Sequence, residues 1–144
     1  MIKIHFIVKK PRKLHIMFCN YILRWLQNDV RREMRIDKVQ VRADLLRYAS
    51  FMKWYRDPGK VTAYEVINSI CNSISYRRVK NDYIFDIDPS INFPNSSTPV
   101  EVVARFIDFG NESIRGCYFI TNVFRRYQEN MLKYYLAFKF RVRR

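Results

Sequence analysis

Glycine and histidine are scarce in this sequence, with three glycines and two histidines. Loops that cradle phosphate groups are built on several glycines, and neither a GxGxxG nor a P-loop pattern occurs. His5 and His15 have no second ligand at metal spacing and no nucleophile in a recognisable motif such as GxSxG. The sequence therefore gives no support for catalysis, and we expect a protein that is not an enzyme and has no cofactor and no metal site.

Cysteines are few as well. Cys19, Cys71 and Cys117 are odd in number, far apart and without CxxC spacing, which argues against a disulfide framework or a zinc site. We expect them to be buried thiols in a reducing compartment. Residues 1–13 are basic but lack an apolar signal core, and no run approaches the ~18 apolar residues of a membrane span. We therefore expect an intracellular protein without a membrane span, located in the cytoplasm or in a virion.

Acidic residues are outnumbered: 27 Lys and Arg stand against 13 Asp and Glu, which gives a net charge of +14. Residues 1–35 carry nine basic and two acidic side chains and residues 98–144 carry nine and four, so these outer segments hold +12 of the +14. A charge of this size repels itself unless an anionic partner offsets it. The partner is expected to be nucleic acid (DNA or RNA) or acidic protein neighbours, in an oligomer or a larger assembly. The predicted nucleic-acid-binding residues are Lys9, Lys10, Arg12, Lys13, Arg31, Arg32, Arg35, Arg125, Arg126, Lys133, Lys139, Arg141, Arg143 and Arg144.

Hydrophobic residues make up 49% of the chain, enough for a core in a single domain over 1–144. In the first half, alternation of apolar and polar residues predicts a strand over 2–9, and helical spacing predicts helices over 13–35 and 38–56. A capping box at Thr62 and Glu65 opens a third helix, which extends to Ser75.

The second half begins with a predicted β-hairpin over 76–88, turning at Lys80-Asn81-Asp82. A helix starts near Thr98 and stops at Gly110, and another covers 117–130. Strict alternation over 132–142 is the cleanest strand signal in the chain. We therefore predict an α+β fold, in which a small antiparallel sheet from the terminal strands plus a β-hairpin packs with about five helices. The loop 108–116 is interpreted as a tight helix–helix connection.

If the terminal strands pair, the basic side chains of the two strands share one sheet face. That face could follow a phosphate backbone, with Tyr135 stacking on a base; the alternative is an ordinary solvated face that prevents aggregation. Its members would be Lys3, His5, Lys9, Lys133, Lys139, Arg141 and Arg143.

The order of elements over 39–88 has the shape of a winged-helix module. The helix from Thr62 to Ser75 would read bases through Asn68, Ser69 and Asn72. However, this helix has no Lys or Arg to meet the flanking phosphates, so a plain helical hairpin is the preferred interpretation.

Acidic residues of the hairpin offer one route to catalysis. Asp82, Asp86 and Asp88 share one side of a strand, and paired carboxylates can hold Mg²⁺ in a nuclease. The alternative, which we prefer, is a solvated face on which Arg77 lies opposite Asp86.

The hypothesis drawn from the sequence is a non-enzymatic, nucleic-acid-contacting subunit of a larger assembly, such as a phage or mobile-element particle or a ribonucleoprotein. One alternative is a winged-helix-like DNA-binding regulator. Another is a virion structural subunit, of a phage neck or tail, with protein-only contacts. A metal-dependent nuclease ranks last.

Overall fold

The computed structural model describes residues 3–7, 12–36, 63–93, 98–110 and 115–142. Their elements follow the order β1 (Ile4–Ile7), α1 (Arg12–Ile36), α2 (Ala63–Ser73), β2 (Ile74–Val79), β3 (Asp82–Ile87), α3 (Val100–Phe109) and α4 (Phe119–Val142). The predicted α+β class is confirmed, but these segments contain four helices instead of about five. The helix predicted over 38–56 lies outside the described residues.

The sheet has three antiparallel strands in the order β1-β3-β2. β2 and β3 form the predicted hairpin, which starts with Ile74 opposite Ile87. Its two-residue turn begins at Lys80, whose φ of 57° lies in the left-handed region. β1 occupies the other side of β3, with Ile4 opposite Phe85. The central strand is therefore the second strand of the hairpin.

The C-terminal segment is a helix, and the strand predicted over 132–142 is wrong. α4 runs without interruption from Phe119 to Val142 and also replaces the separate helix predicted over 117–130. A sheet formed by the two terminal strands is wrong too, because β1 pairs with β3. After Gly116 the sequence contains no glycine or proline, so nothing stops the helix once it has begun.

The alternation over 132–142 wrongly predicted a strand because the apolar face of α4 is made partly of tyrosines. Tyr127, Met131 and Tyr135 recur every four residues, and all three are buried. The strand interpretation had placed Tyr135 on the polar face. Leu132 and Leu136, which it had placed inward, are 66% and 55% exposed.

The predicted basic sheet face is also wrong. Its C-terminal members Lys133, Lys139 and Arg141 lie on α4, so they do not share a sheet with β1. Lys9 and Arg143 lie outside the described residues.

An aromatic cluster fixes α4 against α1 and β1. The ring centroid of Phe6 is 4.9 Å from that of Phe18 and 5.1 Å from that of Tyr135, and the Phe18 and Tyr135 centroids are 5.3 Å apart. Tilted and edge-on ring pairs of this kind contribute about 0.5–1.5 kcal/mol each beyond the area they bury. The cluster therefore sets the position of α4 beside α1.

The described ends of the connection between α3 and α4 depend on two glycines. Gly110 ends α3 with a φ of 72°, and its N–H donates to the Phe106 carbonyl oxygen at 2.8 Å. A Cβ on Gly116 would lie 2.4 Å from the carbonyl carbon of Phe109. Only glycine fits this second position without moving the backbone.

Candidate nucleic-acid interface

A groove of about 540 Å³ lies between α1 and α4. Spacings of three and four residues bring one flank of each helix to it. The groove combines aromatic side chains with three arginines and one carboxylate, and we call it the aromatic–arginine groove. Its lining residues are Tyr21, Ile22, Trp25, Asp29, Arg32, Arg126, Tyr127, Tyr134, Ala137, Phe138 and Arg141.

Aromatic rings form its apolar wall. The Tyr21 ring centroid lies 5.0 Å from that of Phe138 and 6.1 Å from that of Trp25. On the other side, the ring centroids of Tyr134 and Tyr127 are 5.4 Å apart. Trp25 is 50% exposed, so the groove presents aromatic surface that the core does not cover.

Asp29 organises one end of the groove. Its Oδ2 accepts the hydroxyl hydrogen of Tyr127 and lies 3.3 Å from Nη2 of Arg126, and its Oδ1 lies 3.7 Å from Nη2 of Arg32. Burial, followed by the hydrogen bond to Asp29, raises the pKa of Tyr127 above its ordinary value. Tyr127 therefore stays protonated and donates to the carboxylate. One carboxylate thus holds two guanidinium groups at the groove.

Arg141 lies at the other end. Its Nη1 donates to the Tyr21 hydroxyl oxygen at 3.2 Å, and the side chain remains exposed. Asp29 is the one carboxylate among three arginines in the lining, so the groove has a net positive charge. Cations beside aromatic rings can grip phosphates and stack on bases.

The structure brings together three of the predicted binding residues, Arg32, Arg126 and Arg141. Others are spread along the same two helices and do not line the groove. On α1 these are Lys13, Arg31 and Arg35; on α4 they are Arg125, Lys133 and Lys139; Arg12 is the first residue of α1. Lys9, Lys10, Arg143 and Arg144 lie outside the described residues.

The predicted nucleic-acid-binding residues did not include the aromatic members of the groove. Tyr21 and Trp25 follow the same helical spacing as the core residues Phe18, Ile22 and Leu26, so spacing alone does not distinguish them from the core. The apolar stripe of α1 is wider than the contact with α4 covers. That excess width is the signal that could have identified an exposed aromatic flank.

The hairpin carboxylates are paired with cations or hydrogen-bond donors. Asp86 Oδ2 lies 3.7 Å from Lys3 Nζ and 3.9 Å from Arg77 Nη2, and Asp82 Oδ2 lies 2.7 Å from His5 Nδ1. Within the described ranges no group of three or more His, Cys, Asp or Glu residues is placed to hold a metal ion.

Asp88 is held by the loop that follows β3. It accepts hydrogen bonds from the backbone N–H of Ser90 at 2.9 Å and from its hydroxyl at 2.6 Å. These two bonds lower the pKa of Asp88. The local bonds satisfy one of its oxygens within the turn.

The winged-helix segment is described only from α2 onward. α2 leads directly into β2. Of the three side chains predicted to read bases, Asn68 and Ser69 are half-buried and Asn72 alone is exposed. This leaves little of the outer face of α2 able to reach the floor of a DNA groove.

Among the helices described here, none is both long and apolar enough to cross a membrane. No protein-family model, curated protein or solved structure matches the chain.

Proposed function

We propose that this protein is a non-enzymatic, strongly basic subunit of a larger assembly, such as a phage or mobile-element particle or a ribonucleoprotein, and that it contacts nucleic acid through the phosphate backbone. The observation that carries the proposal is the convergence of Arg32, Arg126 and Arg141 on one aromatic groove. Phosphate contacts from arginine supply affinity without reading sequence.

The pairing of the groove arginines with Asp29 is compatible with this role. Arg32 and Arg126 are 70% and 48% exposed although they lie near the carboxylate. The Asp29 side chain is only 15% exposed, but it also accepts the Tyr127 hydroxyl. Arg32 is the more exposed of the two arginines and lies 3.7 Å from the carboxylate, so this pair contributes about 0–1 kcal/mol and a phosphate can take over its guanidinium at little cost. Asp29 then keeps the side chains in place before binding.

A separate feature of α4 supports the assembly part of the proposal. Leu132, Leu136 and Phe140 are spaced four residues apart and are 66%, 55% and 62% exposed. None of them lines the groove. Large apolar side chains aligned on a helix surface are typical of contact with protein neighbours.

The exposed side chains of Leu132, Leu136 and Phe140 also favour the second candidate, a virion structural subunit with protein-only contacts. In that case the basic surface would face acidic neighbours. The regulator hypothesis has weaker support, because the outer face of α2 offers Asn72 as its one exposed member of the predicted set.

Salt-dependent binding tests the proposal. Anisotropy of a labelled DNA single strand and of its duplex is followed from about 50 to about 200 mM salt. Substituting Arg32, Arg126 and Arg141 together by Ala should flatten the plot of log K against log salt by about two for the single strand and nearly three for the duplex, because each phosphate contact contributes about 0.7 or 0.9.

The matched control removes three other cations. Lys3, Arg77 and Arg105 lie around a depression that also contains Asp86 and Glu101. Their triple Ala variant loses the same charge but should retain most of the salt slope. Equal losses in the two variants would contradict a role for the groove. No binding of either nucleic acid at physiological salt would overturn the nucleic-acid proposal and favour protein-only contacts.

A further inference from the structure

We infer that the aromatic–arginine groove is a site for single-stranded nucleic acid, in which an unpaired base stacks on Trp25 while arginines at the two ends hold the flanking phosphates. This inference rests on the proposed function and specifies its substrate class.

The first support is the exposure of Trp25. Core aromatic side chains such as Phe18, Phe85 and Phe124 are almost completely buried, whereas Trp25 is 50% exposed within a concave site. An indole in this position presents a flat apolar surface to a ligand. Stacking on aromatic side chains is the main way in which proteins bind single strands, and it tolerates any sequence because every base has a π-face.

The second support is the placement of the charges along α1. Arg141 meets the groove at Tyr21, and Arg126 and Arg32 meet it at Asp29. Eight residues of helix separate Tyr21 from Asp29, which is about 12 Å at 1.5 Å per residue. The two charged ends are therefore far enough apart to contact phosphates on both sides of a base at Trp25. Trp25 lies halfway between them in the sequence.

The third support is that a duplex has no free base face to offer to the indole. A duplex keeps its bases paired and stacked inside, so the indole could reach a base face only after that base had left the stack. A duplex would therefore touch only the arginines at the rim. A single strand would gain both the phosphate contacts and the stacking.

Alanine and phenylalanine at position 25 test the inference. Trp25→Ala should weaken binding of an oligo(dT) single strand by about 5- to 150-fold, the range measured for loss of one base–aromatic stack. The salt slope should stay unchanged, because no phosphate contact is lost. Trp25→Phe should recover much of the affinity. Duplex affinity should change little in either variant.

Leu136→Ala is the matched control, because Leu136 is also a large exposed apolar residue but lies outside the groove. It should bind the single strand as the unchanged protein does. Circular dichroism and urea unfolding verify that Trp25→Ala keeps its fold; if it does not, Trp25→Leu, which keeps a large apolar side chain but has no aromatic face, gives the same comparison of affinity and slope.

The outcomes separate this inference from the proposed function. Equal affinity for single strand and duplex, with no effect of Trp25→Ala, would overturn the inference and leave phosphate contact by the arginines standing. Absence of binding to both forms would overturn the two together. Displacement of oligo(dT) by polyglutamate of equal charge, undiminished in Trp25→Ala, would assign the groove to acidic protein segments instead.

Discussion

Asp108 ties the end of α3 to the start of α4, and replacing it should reveal how firmly the helix that carries half of the groove is held. Its side chain is completely buried. Oδ1 accepts hydrogen bonds from the backbone N–H groups of Ile120 and Thr121 at 3.0 and 3.1 Å, and Oδ2 accepts from the Thr121 hydroxyl at 2.5 Å. The carboxylate therefore caps the first turn of α4 from outside that helix.

Asp108→Ala should lower the free energy of unfolding by about 3 kcal/mol. Three hydrogen bonds to a charged acceptor contribute about 1.5 kcal/mol each at the lower end of their range. Asp108→Ala also removes the free-energy cost of burying the carboxylate, and this offsets part of that sum. Asp108→Asn should cost only about 1 kcal/mol, because its amide oxygen still accepts from both N–H groups and its amide nitrogen can donate to the Thr121 hydroxyl.

The pH dependence has a defined sign. Burial raises the pKa of Asp108, although its three hydrogen bonds oppose the shift. The folded state then holds the proton more tightly than the unfolded state, whose carboxyl has a pKa of about 3.9. The contribution of this carboxyl to stability is therefore present below about pH 4 and falls as the pH rises through the folded pKa. The stability of Asp108→Asn does not fall in this way. The difference in free energy of unfolding between this variant and the unchanged protein should therefore shrink from acidic to neutral pH.

Urea unfolding followed by circular dichroism, repeated from acidic to neutral pH, measures both effects. Glu129→Ala serves as control, since Glu129 is an exposed carboxylate on α4 and should change stability by less than about 0.5 kcal/mol. A loss below about 1 kcal/mol for Asp108→Ala, or a deficit of Asp108→Asn that grows with pH, would refute the reasoning.

Two further predictions concern the connection between α3 and α4 and the thiols. Gly116→Ala should lower the free energy of unfolding by about 3 kcal/mol or more, because its Cβ would meet the backbone at 2.4–2.5 Å. Gly110→Ala should cost less, about 2 kcal/mol, because its φ of 72° and ψ of −165° lie in a region that is essentially restricted to glycine. Urea unfolding that ranks the two variants in the opposite order would contradict this. Burial raises the pKa of Cys19 to about 12 and that of Cys71 to about 11, so near neutral pH both remain protonated thiols that react slowly. Iodoacetamide labelling followed by mass spectrometry should therefore modify the half-buried Cys117 first, and equal labelling of Cys19 in the folded protein would contradict its burial.

Several elements were predictable because their signals are local. The helix predicted over 13–35 appears as α1, Arg12–Ile36, since its apolar residues recur at helical spacing and a proline precedes it. The hairpin lies within two residues of its predicted limits, because two β-rich runs flank a short polar turn. Gly110 ends α3 as expected, because the positive φ required there suits glycine.

The C-terminal helix was not predictable from alternation alone. Tyrosines have an apolar ring and a polar hydroxyl, so a segment rich in them fits both a strand and a helix pattern. Burial of Tyr135 among Phe6 and Phe18 requires contacts from α1 and β1, which are far away in the sequence. Long-range packing therefore selected the helix.

The sequence by itself determined the charge excess, the lack of catalytic motifs, the α+β class and the shortest-range elements. The tertiary structure alone decided where the charge converges and which aromatic rings stay exposed. Trp25 and Leu26 are neighbours in one apolar pattern, yet Leu26 is fully buried while Trp25 faces the groove. Spacing along a helix fixes the direction in which a side chain points, but exposure depends on whether another element covers that direction. Here the elements packed against α1 cover Leu26 and leave Trp25 half exposed beside three arginines.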